Sequence, residues 1–461
     1  MLFFDIKIER RRQTVRTGVN LTEGSVLKKF IAFVVPIILS GLLQYMYSLA
    51  DTFVVGRYAG DAALAAVGST VSFMALILNT LIGLSVGANV VCAGYFGAGD
   101  KSGFSRALHS AILLGAILGA AVAAIGYVET NTLLDFLKIP NDVIDGARIY
   151  VKITFLGTPA VLIYNYGASS LRAMGDTKRP LYILAVTGFL NLVLNLVFVL
   201  VLKLGIAGVA LGTVVSQYVS AVLVLAIFST MEDEFKLHIS KLKFSKNEVV
   251  QMLKIGLPAG MSTAAFSFSD VILQRAINTF GKLVIAADIA ASSISGYINI
   301  VAASGEQAAV SFAGQCMGAK KYKRIDQTVR TGLLCISTVF IVCSAFIIWQ
   351  GKNLMGIFSQ DDIVIRTGMI FFWITVAPRV LIVPLKIFGG ALQGMGDAVT
   401  PAISNLVCVC GCRVLWILFI WPLNPTFEML YYSYAISWSL SDIVLTIAYI
   451  KKREKIKKTA N

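Results

Sequence analysis

The residue of this chain best suited to chemistry is an aspartate inside an apolar segment. Asp51 follows Ser48-Leu49-Ala50 late in the first such segment, shortly before the Gly60-Asp61 turn. A carboxylate within a hydrocarbon-spanning helix is expensive, so such residues mark ion or proton pathways by default. Burial disfavours the charged form, which suits a group that takes up and releases a proton near neutral pH. The alternative is a structural residue satisfied by a neighbouring helix or by water.

Two amides and a hydroxyl are the expected companions of Asp51. Asn191 and Asn195 stand four residues apart in the fifth apolar segment and therefore share a helix face, and Thr213 follows early in the sixth. Their neutral oxygens can ligate Na⁺ or hydrogen-bond a carboxylate in either protonation state. Alone, such residues could equally serve as hydrogen-bonding contacts between helices. Together with Asp51 they predict a cation pocket.

The second half of the chain carries its own charged residues within apolar segments. The two halves of the chain are similar in sequence, and Pro36 of the first half is equivalent to Pro258 of the second, so Asp270 corresponds to Ser48. Ser48 lies three residues before Asp51, on roughly the same helix face, so Asp270 is expected to face a cavity from the opposite half. We therefore add Asp270 to the predicted cation-coupling residues. Arg379 and Lys386 are expected near water or lining that cavity.

A buried charge network is also predicted in the second half. Arg413 is a lone cation in the eleventh segment, and an unpaired arginine there is costly. We expect it to pair with Asp270, Glu306 or Asp442. For Glu306 and Asp442, a salt bridge that only stabilises the helices is an equally good interpretation.

Aromatic and methionine side chains near these acids could form a substrate cavity. Aromatic faces attract organic cations, and unbranched methionine adapts to irregular shapes, although aromatic residues in such segments more often serve packing. The candidates are Tyr45, Met46, Tyr47, Phe73, Phe266 and Phe268.

The elements that position these residues are membrane-spanning helices. Hydrophobic residues make up 57% of the chain, charged residues only 14%, and the mean hydropathy is +0.78. The apolar segments are long enough to cross a hydrocarbon core of about 30 Å. Six lie in each half, near 29–55, 62–95, 103–127, 145–172, 178–203 and 206–230, then 250–279, 283–317, 326–349, 364–393, 398–422 and 428–450.

The second half repeats the first. Gly175-Asp176 returns as Gly396-Asp397, and Gly97-Ala98 returns as Gly318-Ala319, each 221 positions later. Because each unit has six spans, both enter the membrane in the same orientation. The sequence therefore predicts an all-α membrane protein with twelve transmembrane helices in two parallel-repeat lobes around a central cavity.

The charges predict the topology and the domain boundaries. Most of the 40 lysines and arginines fall in alternate connections, including both ends and the middle linker, which places these on the cytoplasmic side of the cell membrane. The net charge of +15 is thus a topology signal and indicates no nucleic-acid partner. The predicted parts are a basic segment (1–28), an amino-terminal lobe (29–230), a linker (231–249), a carboxyl-terminal lobe (250–450) and a basic tail (451–461).

Other classes of chemistry find little support. The first 28 residues do not read as a cleaved signal peptide. Seven cysteines lie in or at the ends of spans without metal-binding spacing, and the two histidines have no triad partners. We expect no enzyme activity, no cofactor and packing roles for the cysteines.

Several motifs resemble those of the multidrug and toxic compound extrusion (MATE) transporters, over most of the chain from about residue 25 to 450. Individually they are weak, but they occur in order and in both halves. They are Pro36, Ala50–Arg57, Leu64–Gly68, Gly175–Pro180, Asn191–Asn195 and Gly314–Ala319.

The resemblance implies export of small amphipathic, mainly cationic compounds by alternating access, driven by entry of H⁺ or Na⁺ and requiring no other cofactor. We expect a monomer in contact with membrane lipid. In the DNA-damage-inducible-protein-F-like branch, which the chain most resembles, the implied cation site falls on Asp51, Asn191, position 195 and Thr213. That branch has aspartate at the third of these positions and this chain has asparagine, so the amino-terminal lobe retains one carboxylate and the alternatives H⁺ and Na⁺ stay open.

Two other functions compete with this interpretation. A lipid-linked oligosaccharide flippase of the same superfamily would need a cationic cavity for pyrophosphate, whereas the acids of the spans outnumber Arg413. A membrane scaffold or sensor would need no carboxylates in its spans, and the chain offers no soluble domain for signalling.

Overall fold

The structure is a computed structural model that describes residues 18–140, 142–232, 235–238 and 242–460. The first 17 residues of the predicted basic segment, and Lys241 of the predicted linker, lie outside these ranges. Within them the chain is helical, and no strand occurs in the described part.

Twelve long helical segments follow one another along the chain, as the sequence predicts. They are α1 (Val26–Ala59), α2 (Asp61–Ala98), α3 (Lys101–Val128), α4 (Ile144–Leu156 and Thr158–Ala173), α5 (Lys178–Val201), α6 (Gly205–Ser229), α7 (Lys246–Ile277), α8 (Lys282–Gly318), α9 (Tyr322–Trp349), α10 (Asp362–Gly394), α11 (Val399–Leu423) and α12 (Phe427–Ala460). Short helices, Thr130–Phe136 and Gly351–Gly356, lie between α3 and α4 and between α9 and α10.

Ten of these segments, among the described residues, are by themselves long and apolar enough to cross a membrane. The two parts of α4 form an eleventh span bent by 41°. The bend lies beside Pro159, whose ring removes a backbone donor from the helix. Helix α7 is less apolar but has 32 residues, enough to cross about 30 Å at 1.5 Å per residue. The expected twelve-helix architecture is confirmed.

The repeat is visible in the backbone of the turns. Gly60 and Gly281 begin the second helix of each half with φ of 90° and 91°, and Gly175 and Gly396 precede the fifth with φ of 81° and 80°. Residues with a Cβ rarely adopt this region, so glycine is required at both copies of each turn. The duplicated motif therefore encodes a duplicated turn.

The buried apolar residues form two large cores, one in each half, and the first helix of each half crosses between them. Phe30 and Phe33 of α1 pack against Phe312 of α8, with ring centroids 5.9 and 5.7 Å apart. Met252 and Ile255 of α7 belong in turn to the core of the first half. The beginnings of α1 and α7 thus connect the two lobes.

The lobes meet closely at the end of the bundle where α1 begins and α12 ends, which we call the terminal face. A Cβ added at Gly97 of α2 would lie 2.0 Å from the Gln315 carbonyl oxygen of α8, and one at Gly318 would lie 1.9 Å from that of Gly94. These contacts are two copies of one interaction, because each residue pair is related by the repeat. The backbones of α2 and α8 thus approach so closely that no side chain fits between them, and this contact closes the terminal face.

The chain before α1, residues 18–25, lies across this closure and is called the strap here. On the first lobe, Val19 N donates to the Met174 carbonyl at 2.8 Å. On the second lobe, Gln315 Oε1 accepts from Leu21 N at 2.8 Å, and Arg324 Nε donates to the Leu21 carbonyl at 2.7 Å. Leu21 is buried between them. The strap therefore ties the two lobes together.

The glycine contact predicts a selective cost of adding a methyl group. Gly97→Ala should force α2 and α8 apart, destabilise the protein by about 1–3 kcal/mol and lower the midpoint of thermal unfolding in detergent. Gly94→Ala is the matched control, since a Cβ on Gly94 meets nothing within 4 Å. Equal midpoints for the two variants would contradict the close packing described here.

Candidate functional site

The four residues predicted from the first half lie together between α1, α5 and α6. Asn195 Nδ2 donates to Asp51 Oδ1 at 2.5 Å, and Asn191 Nδ2 donates to Thr213 Oγ1 at 3.2 Å. Thr213 also interacts with the Asp51 carboxyl. Both asparagines are buried, whereas Asp51 is partly exposed. The arrangement gathers carboxylate, amide and hydroxyl oxygens at one place.

Local helix geometry positions these side chains. The last turn of α1, Val55–Ala59, and the last turn of α5, Val197–Val201, are both wide π-helical turns. They begin shortly after Asp51 and Asn195, and such turns are frequent at functional sites because they shift the register of a helix. On α6, Gly212 leaves room for the amide, since a Cβ there would lie 2.1 Å from Asn195 Oδ1.

Two features of this site were not predicted from the sequence. Tyr150 of α4 lies close enough to Asp51 to interact with it electrostatically, but one tyrosine in an amphipathic helix gives no signal of that role. In addition, Asn195 Oδ1 is buried and has no hydrogen-bond partner among the described residues. An oxygen in that state, beside a carboxylate and a hydroxyl, fits the donor set that hard cations prefer.

The second half contains a cavity of about 430 Å³ that several of its predicted residues line. Arg413, only 2% exposed, extends from α11 and pairs with Asp270 of α7 through Nη1 and Oδ1 at 3.0 Å. Its guanidinium also donates to Ser269 and Ser437 and lies over the Tyr434 ring, 4.1 Å from the centroid. The Asp270 side chain is 60% exposed and lines the same cavity.

Two further cations of α10 line the same cavity, as expected. Lys386 Nζ pairs with Glu306 Oε2 of α8 at 2.8 Å and lies 5.0 Å from the centre of the Phe266 ring. Arg379 is 7% exposed and donates from Nη1 to the Ser295 carbonyl at 3.0 Å. The cavity therefore holds positive as well as negative groups.

The predicted network of Glu306, Arg413 and Asp442 is wrong as a single group. Arg413 reaches α7 from α11, whereas Glu306 is taken by Lys386 of α10, the nearer cation. Asp442 of α12 contacts the backbone at Leu385, and its Oδ1 is buried without a partner among the described residues. The three side chains thus have three separate environments.

The charge balance inferred from the sequence also changes. Asp288 of α8, which we had not singled out, lines the cavity and accepts hydrogen bonds from Tyr431 and Ser292. The cavity with its ion-paired Glu306 contains three acids and three cations, so it does not lean acidic. An aspartate within the apolar run Ala286–Ala291 was the signal that could have identified it.

The predicted aromatic wall is spread over different environments. Phe266 lines the cavity of the second half. Tyr45 packs against Tyr297 between the lobes, with ring centroids 4.6 Å apart, and Tyr47 packs against Gly188 of α5. Met46 and Phe268 are exposed, and Phe73 is partly buried. Only Phe266 of the six lies beside the charged residues of that cavity.

No group of three or more metal-ligating His, Cys, Asp or Glu side chains occurs in the described ranges. The seven cysteines are all free, and four of them are buried.

Comparison with known proteins gives a consistent result. The "Probable multidrug resistance protein YoeA" of Bacillus subtilis (strain 168) is 26% identical over 85% of this chain and 86% of its own length. A crystal structure of a MATE protein in complex with MaL6 superposes with a TM-score of 0.89 at 20% identity, covering 96% of this chain and 99% of the other. A MATE family transporter described as outward-facing gives 0.86 at 21% identity, covering 96% and 99%.

The MatE family model matches the chain twice, at residues 36–197 and 258–417, once in each lobe. The two matches cover most of the chain and follow the repeat that the duplicated turns display. The protein belongs to the MatE family.

Proposed function

We propose that the protein is a secondary antiporter that exports amphipathic organic cations in exchange for H⁺ or Na⁺. The observation that carries the proposal is the carboxylate of Asp51, held by Asn195 within a membrane-spanning helix. The multidrug resistance name of its Bacillus subtilis relative supports transport of varied small molecules. No step requires a cofactor.

Asp51 can couple an ion to a helix contact because its protonation changes the bond with Asn195. The ionised carboxylate accepts a charge-assisted hydrogen bond, which is about twice as strong as a neutral one. Protonation removes that charge and weakens the connection between α1 and α5. Sodium would act differently, drawing on the oxygens of Asp51, Asn195 and Thr213. Either ion would change how the outer part of α1 packs against its own lobe.

The closed terminal face supports alternating access. We propose that this face is cytoplasmic in the cell membrane and that the protein works as a monomer. The lysine and arginine distribution supports this orientation, because cytoplasmic connections retain cations. With the lobes joined there, the second-half cavity and the Asp51 site would be reached from the opposite side, and export would require the contacts at Gly97 and Gly318 to alternate between closed and open.

The flippase alternative gains one observation, the cations of the second-half cavity. It is weakened by their pairing, because Asp270 neutralises Arg413 and Glu306 neutralises Lys386. Arg379 alone remains without an ion-pair partner in the described part of the cavity, and its one positive charge is too little to balance a pyrophosphate. The role of Asp270 in ion coupling stays a prediction. The assignment of the chain to the DNA-damage-inducible-protein-F-like branch also stays a prediction.

Removing titration at Asp51 should abolish coupling. Asp51→Asn preserves size and a hydrogen bond to Asn195, so the protein should fold and insert while gradient-driven ethidium transport in proteoliposomes falls to background. A gradient of one pH unit is worth about 1.4 kcal/mol per proton, so losing one proton removes about tenfold accumulation. Asp145→Asn, at an exposed site on α4, is the control. Normal transport by a well-expressed Asp51→Asn protein would refute the coupling role.

The orientation can be tested by labelling two exposed positions in a cysteine-free background. A cysteine replacing Lys243, before α7, should react in intact cells only with a membrane-permeant reagent. One replacing Lys352, between α9 and α10, should react with an impermeant reagent as well. The reverse pattern would place the terminal face outside and overturn the topology.

A further inference from the structure

Arg379 is the one cation of the second-half cavity that, within the described ranges, has no carboxylate at ion-pair distance. Its guanidinium donates to the Ser295 carbonyl, and its buried Nε has no hydrogen-bond partner among these residues. A guanidinium carries five N–H donors and stays charged in proteins. A buried arginine in this condition is costly unless another group completes its shell.

The neighbours of Arg379 cannot neutralise it. Arg413 and Asp270 are both close enough to act on it electrostatically, and Asp270 is already bonded to Arg413. Two guanidinium groups therefore share one carboxylate. Asp288 accepts hydrogen bonds from the neutral hydroxyls of Tyr431 and Ser292 and, among the described residues, forms no ion pair with Arg379. The immediate surroundings of Arg379 therefore carry a net positive charge, although the acids and cations of the whole cavity are equal in number.

The other residues that line the cavity indicate what else a ligand would contact. Phe266, Tyr434 and Trp438 contribute aromatic surface to the same cavity. Its volume of about 430 Å³ lies within the range of small-molecule sites, which is roughly 300–1,000 Å³. An aromatic compound fits this lining, and an anionic group on it would supply what Arg379 lacks. Carboxylates match the fork of a guanidinium by accepting two parallel hydrogen bonds.

We propose that this cavity binds aromatic amphiphiles that carry a carboxylate or a comparable anionic group, and that Arg379 holds that group. The inference rests on the proposed export function and extends its substrates from cations to anion-bearing compounds. Lys386 and Arg413 remain engaged with Glu306 and Asp270, and Asp270 keeps the second guanidinium in place. Arg379 is then a specificity-determining residue for the charge of the substrate.

Binding to the full-length protein in lipid nanodiscs tests the inference with two fluorescent probes. Dansylglycine carries a carboxylate, and dansylglycinamide has the same aromatic body without the charge. Wild-type protein should bind dansylglycine more tightly. Because hydrogen bonds between charged groups are stronger than those between neutral groups, Arg379→Gln should weaken dansylglycine binding about tenfold or more and change amide binding less than about twofold. Arg366→Gln, at an exposed site on the same helix, is the matched control.

The possible results are distinguishable. Equal affinities of the wild type for both probes, or an equal loss of both in Arg379→Gln, would overturn the assignment. If Arg379→Gln does not fold, Arg379→Lys replaces it. That variant retains the charge but not the fork, so a selective fall in dansylglycine affinity supports the role of Arg379, and unchanged affinities refute it. Selective binding without gradient-driven transport would instead refute the antiport proposal and leave this site intact.

Discussion

An ionised side chain inside a membrane-spanning bundle is stable only when another group compensates it, and this constraint organises the interior of both lobes. In the first lobe, Asp51 is compensated by the neutral amide of Asn195 and the hydroxyl of Thr213. In the second, Arg413 is enclosed by Asp270, two serines and an aromatic face. The first arrangement surrounds a carboxylate with neutral donors only. The second fixes a charge in place.

The two lobes therefore use one scaffold for different chemistry. Turns at Gly60 and Gly281 have nearly identical backbone conformations, and the Gly97 contact is copied at Gly318. The side chains of the sites are not copied. Counting 221 positions on, Asn195 corresponds to Trp416 and Thr213 to Tyr434. Backbone geometry follows from glycine and helix packing, so it survives duplication, whereas the polar groups at each site have diverged.

The sequence predicted the fold well because its signals are local. Apolar length and the Gly-Asp turns specify helices and their ends without reference to distant residues. The first-lobe site followed from one costly aspartate and a four-residue spacing on α5. The ion-pair and hydrogen-bond partners that lie on other helices could not be predicted from such local signals. Lys386 rather than Arg413 meets Glu306, and Tyr431 meets Asp288, because helix rotation and tilt decide which side chains face each other.

The strap has a consequence for how the protein is handled. Residues 18–25 are bonded to both lobes, and Glu23 is held by Lys321, which lowers the pKa of that carboxyl below its ordinary value. If the terminal face opens, as the proposed export requires, the strap must detach from at least one lobe and would act as a latch with its own release step. An affinity tag joined directly ahead of the strap would lie beside that latch. Tagged and untagged proteins can therefore differ in how readily they open, even with identical binding sites.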